Sequence, residues 1–300
     1  MSYPLVSVLI ITYNSALFIR EALDSILAQD YQNFEVVISD DASGDGTPQI
    51  LKEYAMRFPE RVKVILNIEN QGITKNSNIA LKECSGQYIA LMGGDDLMLP
   101  GKLVSQVTEM EREKDSVFSY HNVEVFNEEL SESYLYVHKK NKKHLGSTAF
   151  LKDKATISCC SVMLRNSLIP AYGFDERVIV ASDWLLWADM IMQGGKAVYI
   201  DAVLSRYRRH GNNVTNLMSP YARQVAADHL LSSIILLTRY PEREIELIPT
   251  ISVKCRKLRL IMSTGAGYRS VLFASLAFKF NFKALLGILI NYFSFGKVKI

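Results

Sequence analysis

Two adjacent carboxylates, Asp95 and Asp96, are the first candidates for chemistry in this sequence. They follow an apolar stretch and two small residues in the segment Ala-Leu-Met-Gly-Gly-Asp-Asp-Leu, residues 90–97. Because neighbouring carboxylates repel each other and are costly to remove from water, a bound divalent cation is one reason to keep both. Gly-Gly-Asp-Asp is also a good turn sequence, so the segment alone fits a metal site and a turn equally well.

The flanking segments predict the elements that position this motif. Apolar stretches that suit buried strands occur at residues 5–11, 34–39, 62–66 and 87–92. Apolar residues at helical spacing lie between them, at residues 18–29, 50–55 and 74–84. This alternation predicts an α/β fold with a doubly wound, mostly parallel sheet and helices on both faces, which binds ligands beyond the carboxyl ends of its strands.

Polar clusters follow three of the predicted strands, at residues 12–14, 40–47 and 93–96. All three fall at the carboxyl ends of those strands, which meet at one edge of a parallel sheet. The coincidence favours a functional site over a simple turn.

Length and composition limit the classes of protein to which this chain can belong. A chain of 300 residues with 49% hydrophobic content can bury one large domain, or one domain and a helical appendage. The four cysteines form neither a CxxC pair nor a regular framework, which argues against a zinc ribbon and a disulfide scaffold and favours a reducing cytoplasm. The N-terminus lacks the pattern of a secretory signal, so we expect the protein to stay where it is made.

Charge is divided unevenly along the chain, although the net charge is only +3. No acidic residue follows Glu246, whereas nine Lys and Arg residues do. The 25 basic and 31 acidic residues before that point give a balance of −6. The asymmetry predicts that the C-terminal part meets an anionic partner such as a membrane surface or nucleic acid.

Four segments carry a resemblance to a known family. They are Val-Ser-Val-Leu-Ile-Ile-Thr-Tyr-Asn (6–14), Asp-Asp-Ala-Ser-Gly-Asp-Gly-Thr (40–47), Asn-Gln-Gly with Lys-Asn (70–76) and Gly-Gly-Asp-Asp (93–96). In this order and at this spacing they resemble the motifs of family 2 glycosyltransferases with the GT-A fold, over residues 4–215. The resemblance implies that a sugar is transferred from a nucleotide-sugar donor, with inversion at the anomeric carbon.

The resemblance also implies a domain organisation and a donor site. Residues 1–216 form the catalytic domain, with a nucleotide-binding half at 1–98 and an acceptor half at 99–216. The change to a helical, basic and apolar pattern near residue 219 predicts a separate C-terminal region at 217–300. Asp41 accepts a hydrogen bond from N3–H of a uridine base, while Ile11 and Tyr13 border the base.

Three other charged residues lie in the donor-binding segments, and for each a structural role is possible or expected. Lys75 lies where the family often has Arg and approaches the nucleobase or its phosphates, or else belongs to a solvated helix face. For Asp40 and Asp45 we expect Asx-type hydrogen bonds that hold the loop of residues 42–47.

The metal site follows from the same resemblance. The family commonly has a further Asp at the position of Gly93, and this chain lacks it. Asp95 then approaches the ribose or the metal shell, and Asp96 coordinates Mg²⁺ or Mn²⁺. The cation neutralises the nucleoside diphosphate as it leaves.

Residues 207–215 resemble the segment with which many family members close over the diphosphate. His210 completes the metal shell or contacts phosphate, and Arg208 or Arg209 offsets phosphate charge. A structural histidine is the alternative for His210.

Asp183 is the candidate catalytic base, since one-step inversion requires a group that takes the proton of the acceptor hydroxyl. It follows the family's Gly-Phe-Asp segment, here residues 173–175, and the usual Glu-Asp pair is replaced by Ser182 and Asp183. The alternative is that Asp183 is the N-cap of a helix. Trp184 is predicted to stack on an acceptor sugar, and Trp187 to lie in the core.

The acceptor half has a less regular pattern. We predict a helix at 102–114, strands at 117–121, 123–126 and 157–165, and a basic loop at 139–144. Cys159 and Cys160 have no histidine nearby in sequence and are interpreted as small packing residues.

The C-terminal region is predicted to contain helices at 221–239 and 242–262. Two apolar stretches, 271–278 and 284–293, are each shorter than the about 20 residues needed to span a bilayer. Together with the lysines they predict an interfacial anchor on anionic lipid, so we expect a peripheral protein on the inner face of the cell membrane. The alternative is an appendage that packs on the catalytic domain or in a homodimer. Their apolar content argues against nucleic acid.

The sequence thus indicates a metal-dependent inverting glycosyltransferase that moves a sugar, from a UDP-sugar, to a hydroxyl of a glycan or glycolipid acceptor in surface polysaccharide synthesis. Two alternatives stay open: a catalytically degenerate nucleotide-sugar binder, and a Mg²⁺-binding, receiver-like signalling module. A receiver would be shorter and would not need Asp183 or residues 208–213.

Overall fold

The computed structural model describes residues 3–127, 132–136, 144–152, 157–211, 213–214 and 221–262. The strands in these residues are β1 (Val6–Thr12), β2 (Phe34–Asp40), β3 (Val62–Leu66), β4 (Tyr88–Gly93), β5 (Leu97–Met98), β6 (Ser116–Asn127), β7 (Glu132–Tyr136), β8 (His144–Leu145), β9 (Met163–Arg165) and β10 (Lys196–Arg208). The α-helices are α1 (Ile19–Leu27), α2 (Thr47–Arg57), α3 (Ile73–Lys82), α4 (Lys102–Arg112), α5 (Ser147–Lys152), α6 (Ser182–Met192), α7 (Ala222–Arg239) and α8 (Glu244–Met262).

One mixed sheet runs through the described part of the chain, in the order β3-β2-β1-β4-β9-β6-β10-β5, with β7 beside β6 and β8 beside β10. The pairs β1–β2, β2–β3, β1–β4 and β6–β10 are parallel. Short β9 is antiparallel to both β4 and β6, so the long strands on its two sides share one direction. The predicted mostly parallel sheet is confirmed, and it continues without a break across the predicted boundary between residues 98 and 99.

Alternation along the strands divides the core into two layers, because successive side chains of a strand point to opposite faces of the sheet. Val8 and Ile10 face the layer covered by α1, α2 and α4. Leu9, between them, faces the layer that contains α3, α6, α7 and α8. Helices therefore cover both faces, as the pattern of the first half predicted.

The prediction of one strand over residues 157–165 is wrong in its first part. A 3₁₀ turn at Cys159–Ser161 precedes β9, which begins only at Met163. Both the backbone N–H and the hydroxyl of Ser161 donate to the carbonyl oxygen of Ser158, at 2.9 and 2.6 Å, and this local bonding replaces the strand.

The C-terminal helices α7 and α8 pack against each other and cover α6. Pro249 lies inside α8. In the described ranges, none of the helices combines the length and the apolarity that crossing a bilayer requires. The predicted membrane anchor, residues 271–293, and most of the predicted basic loop, residues 139–143, lie outside the described residues.

Candidate active site

The loops that follow β1 and β2 form one edge of the site and are tied together by hydrogen bonds. The backbone N–H of Ser15 donates to Oγ1 of Thr47 at 2.9 Å, and that of Ala16 donates to Oδ2 of Asp45 at 3.0 Å. Asn14 and Ala42 have positive φ angles of 51° and 60°, which turn the chain sharply after each strand. Both loops are thus fixed before any ligand binds.

Asp41 lies at the carboxyl end of β2 and is 4% exposed. Its Oδ1 accepts from the N–H of Gln71 at 2.7 Å and from Nδ2 of Asn67 at 3.3 Å, and its Oδ2 accepts from the N–H of Gly72 at 2.9 Å. A carboxylate offers about four lone-pair sites. One site on Oδ2 therefore remains for another donor.

Asp40 and Asp45 have the predicted structural roles. Asp40 accepts from the N–H and the hydroxyl of Ser43, at 3.0 and 2.5 Å. Asp45 accepts from the N–H of Thr47 at 2.9 Å.

The other predicted donor residues border the same edge. Ile11 is half-buried near the end of β1, and Tyr13 follows it with 53% of its surface exposed. Lys75 is exposed on the first turn of α3, three residues after Gly72. Its neighbour Asn76 is buried and donates to the carbonyl oxygen of Ser39 at 3.0 Å.

Asp95 and His210 are brought together in the structure. Nε2 of His210 lies 2.9 Å from Oδ2 of Asp95, and Nδ2 of Asn213 donates to the same oxygen at 3.3 Å. The imidazole stacks on Phe18, with ring centroids 4.8 Å apart. This arrangement covers one face of the imidazole and holds its Nε2 against Oδ2 of Asp95, two residues after the end of β4.

Asp96 points into the protein and is 4% exposed. Its Oδ1 accepts from the backbone N–H of Arg208 at 3.0 Å. Burial, and then the charge of Asp95, raise the pKa of the Asp96 carboxyl well above its usual value. The Asp95 side chain, at 23% exposed, is the more accessible of the two acids, and the role of Asp96 as a metal ligand stays a prediction.

Arg208 does not have the predicted phosphate-facing position. It is 2% exposed, and its Nε donates to the carbonyl oxygen of Asp95 at 2.8 Å while its Nη2 pairs with Glu21 at 2.6 Å. The guanidinium of Arg209, the other candidate, lies over the ring of Tyr207, 5.3 Å from its centroid.

Side chains lie close to both glycines before the acids. A Cβ at Gly94 would lie 2.7 Å from Oγ1 of Thr12, so no side chain fits there. A Cβ at Gly93 would lie 2.7 Å from Oδ1 of Asp95. This oxygen is the end of a flexible side chain, so a residue other than glycine at position 93 would require a shift of the Asp95 carboxylate.

Among the described residues, no cluster of three or more His, Cys, Asp or Glu side chains is arranged to hold a metal ion. Asp95 and His210 can supply one oxygen and one nitrogen ligand. Mg²⁺ commonly takes only one or two carboxylates from the protein and completes its shell with water and substrate phosphates. The pair fits a cation that is held jointly by protein and diphosphate.

Asp183 lies inside the first turn of α6, and the N-cap residue is Ala181, so the N-cap interpretation of Asp183 is wrong. Its Oδ1 accepts from the N–H of Trp184 at 2.7 Å. Burial raises the pKa of the Asp183 carboxyl to about 6. Crowding by the surrounding protein, and then the charges of Asp183 and Asp96, raise the pKa of the Cys159 thiol, although this residue is solvent-accessible.

Trp184 does not have the predicted position for stacking on a sugar. Its ring packs on Phe150 at 5.7 Å and edge-on to His229 at 5.9 Å, and Nζ of Lys254 lies 3.1 Å from its centroid. Trp184 therefore joins α6 to α5, α7 and α8. Trp187 is 2% exposed, as predicted for a core residue.

Sequence reasoning missed the strand that brings His210 to the site. β10 pairs antiparallel with β5, with Arg206 opposite Leu97, and this register places the residues after Arg208 beside Asp95. The sequence pattern marks Asn213 only as part of the segment 207–215 and Phe18 only as an apolar position of a predicted helix. No local sequence pattern could have identified either residue, because both act through contacts with distant parts of the chain.

The family model described as "Glycosyl transferase family 2" matches residues 7–170. An uncharacterized protein of Mycobacterium tuberculosis is 33% identical over 210 residues, which are 69% of this chain and 60% of that protein. A Bacillus subtilis protein named "Putative teichuronic acid biosynthesis glycosyltransferase TuaG" is 28% identical over 71% of this chain and 82% of its own length. The aligned residues thus span about three fifths of the Mycobacterium relative.

Solved structures share the fold. Staphylococcus aureus TarS 1–349 in complex with UDP-GlcNAc superposes with a TM-score of 0.57, at 16% identity, over 96% of this chain and 91% of that one. The mannosyltransferase PcManGT from Pyrobaculum calidifontis, in complex with GDP-Man and Mn²⁺, gives 0.62 at 17% identity, over 99% and 86%. The predicted GT-A fold with C-terminal helices is confirmed.

Proposed function

Because this chain belongs to glycosyl transferase family 2 and is a glycosyltransferase, we propose that it transfers a sugar from a UDP-sugar to a hydroxyl acceptor, with inversion and with a divalent cation. The observation that carries the proposal is the Asp95–His210 pair, which follows β4 at the same edge of the sheet as Asp41, the residue after β2. Membership of this family excludes the receiver-like signalling module.

Asp41 supports the choice of a uracil base. Its remaining lone-pair site can accept the N3–H of uracil, while the three hydrogen bonds that it already makes hold the carboxylate in place. Ile11 and Tyr13 would border the base, and the exposed Lys75 would meet the base or phosphate charge.

Asp95 and His210 would hold Mg²⁺ or Mn²⁺ against the diphosphate. The bound cation supplies Lewis-acid neutralisation of the leaving nucleoside diphosphate. Arg208 and Asp96 act behind this pair: the guanidinium binds the Asp95 carbonyl, and the Asp96 carboxylate fixes the backbone of Arg208. Arg209, the next residue in the chain, is still a candidate for offsetting the negative charge of the phosphates.

Asp183 would act as the base. In its ionised form it accepts the proton of the acceptor hydroxyl, whose oxygen bonds to the anomeric carbon as the bond from that carbon to the phosphate oxygen breaks. Burial makes this carboxylate a stronger proton acceptor than an ordinary aspartate. Cys159 would form part of the acceptor floor.

The acceptor is proposed from the relatives and the charge distribution. TuaG is named for teichuronic acid biosynthesis, and the nine basic residues after Glu246 suit an anionic lipid surface. We therefore expect the acceptor to be a glycan or glycolipid precursor of a surface polysaccharide, which the enzyme would bind at the inner face of the membrane.

A donor screen tests the function. The protein is incubated with UDP-GlcNAc, UDP-Glc, UDP-Gal or GDP-Man, with Mn²⁺ and with hydroxyl acceptors, and release of nucleoside diphosphate is measured with and without EDTA. We expect turnover of a UDP-sugar that EDTA stops and excess Mn²⁺ restores. Binding of UDP without release from any donor would indicate a degenerate binder, and turnover in excess EDTA would contradict the metal requirement.

A further inference from the structure

A carboxylate from the C-terminal region holds the start of the helix that carries Asp183. Oδ2 of Asp228, on α7, accepts from the backbone N–H groups of Val180 and Ala181, at 2.8 and 3.0 Å. Asp228 is 0% exposed. Its other oxygen accepts from Nε2 of Gln224 at 2.6 Å. Both carboxylate oxygens are therefore used, and one of them fixes the two residues that lead into α6.

The opposite side of this turn is held by α3. Oγ1 of Thr74 donates to the carbonyl oxygen of Val178 at 2.6 Å and lies 2.9 Å from Oγ of Ser182. Residues 178–182 are thus bound from two sides, by side chains that lie 154 positions apart in the chain. The backbone of the first turn has little freedom to shift.

A second contact holds the other end of α6. Arg239, at the end of α7, pairs with the fully buried carboxylate of Asp189 and, at 2.5 Å, with Asp175. Between the two ends, Trp184 packs on His229 of α7. The helix of the candidate base is therefore attached to α7 just before its start, in its first turn and near its end.

We propose that Asp228 is a positioning residue for the transfer reaction, which makes α7 part of the catalytic unit. The inference rests on the proposed function of Asp183, which lies two residues after Ala181. A displacement of about 1 Å in a reacting group can cost about 100-fold in rate. Loss of the Asp228 bonds would let the start of α6 shift and would move the Asp183 carboxylate relative to the acceptor.

The test compares Asp228→Leu, which leaves both N–H groups without their acceptor, with Asp228→Asn, which keeps an acceptor oxygen. Ser232→Ala is the matched control, because Ser232 is equally buried on the same helix and donates only to the carbonyl oxygen of Asp228, at 2.7 Å. Transfer kinetics, UDP affinity and hydrogen exchange at the amides of Val180 and Ala181 are measured on the full chain.

We expect Asp228→Leu to lower kcat about 10- to 100-fold, to leave the Kd for UDP within about twofold, and to speed exchange at the two amides. Asp228→Asn and Ser232→Ala should stay within about threefold of the parent in kcat. If Asp228→Leu does not fold, Asp228→Ser takes its place, since its short hydroxyl cannot reach both N–H groups.

Unchanged kcat in a folded Asp228→Leu or Asp228→Ser variant, or an equal loss of UDP affinity, would overturn the positioning role. A parent protein that transfers no sugar would instead refute the proposed function, and the inference with it. The two failures are distinguishable, because only the first occurs with an active parent.

Discussion

Nε2 of His210 lies 2.9 Å from Oδ2 of Asp95, although 115 positions separate the two residues in the chain. The contact exists because β10 returns antiparallel to β5 and ends beside the acid pair. It also separates the two acids, since Asp95 faces the histidine while Asp96 accepts the backbone N–H of Arg208. The two neighbouring carboxylates should therefore respond differently to substitution.

Asp95→Asn and His210→Gln should raise the Mn²⁺ concentration needed for half-maximal turnover by at least about 10-fold, because each removes a proposed ligand. Loss of a residue that only orients a metal ligand already costs ~10–100-fold in metal affinity. Asp96→Asn should leave this requirement nearly unchanged, since the amide oxygen can still accept from Arg208. Mn²⁺ titration of the turnover rate measures all three.

Equal shifts for Asp95→Asn and Asp96→Asn would restore Asp96 as a metal ligand. Unchanged titrations for Asp95→Asn and His210→Gln would remove the pair from the metal site.

Asp41→Ala should weaken UDP binding about 10- to 100-fold, because a hydrogen bond to a charged group contributes about 1.5–3 kcal/mol. Asp45→Ala is the matched control: Asp45 also accepts two backbone N–H groups in these loops, but it has no proposed contact with the base. Calorimetric titration with UDP compares the two. Equal losses of affinity would mean that Asp41 acts only through the loop.

Several elements were predictable because their signal is local. The continuous apolar runs and helical spacing of residues 5–92 predicted β1 to β4 and α1 to α3 to within a few residues. The Asx roles of Asp40 and Asp45 were also predictable, since an aspartate bonds to backbone groups within a few positions. Asp183 could be selected as the candidate base from the family resemblance, and this role stays a prediction; the structure places the residue in the first turn of α6.

The rest depends on contacts that no local pattern encodes. Which carboxylate of an adjacent pair points inward is decided by Arg208, which lies 112 positions away. Trp184 could equally face a sugar or a helix until Phe150 and Lys254 cover it. Asp228 resembles a solvated helix acid in sequence, and only the packing of α7 on α6 buries it.

Arg239→Ala should destabilise the protein by about 3–5 kcal/mol, because it leaves Asp189, whose side chain is 0% exposed, without its cation. The control is Arg177→Ala: the Arg177 side chain is 60% exposed, and loss of its pair with Asp175 should cost no more than about 1 kcal/mol. Urea unfolding followed by circular dichroism measures both. Similar costs for the two variants would show that the Asp189 pair contributes little to stability.

The kcat/KM of the parent should fall as pH decreases through about 6, since protonated Asp183 cannot accept a proton. The contribution of Asp183 to stability has the opposite pH dependence to its contribution to activity. A carboxyl whose folded-state pKa is raised binds protons more readily in the native state, so its contribution is favourable at low pH and is lost as pH rises through about 6. At pH 7.5, Asp183→Asn should therefore melt at or above the temperature of the parent. A lower melting temperature, or a pH profile without a limb near 6, would contradict the burial of this base.

The most direct measurement is kcat of Asp183→Asn beside the parent, at pH 7.5 and saturating donor, with the Kd for UDP measured on both. We predict a fall in kcat of ~10²–10⁴-fold, with UDP affinity and melting temperature retained, because the amide keeps the shape of the carboxylate but cannot take the acceptor's proton. Asp183→Asn turnover within a few-fold of the parent would show that another group is the base and would contradict the mechanism proposed here.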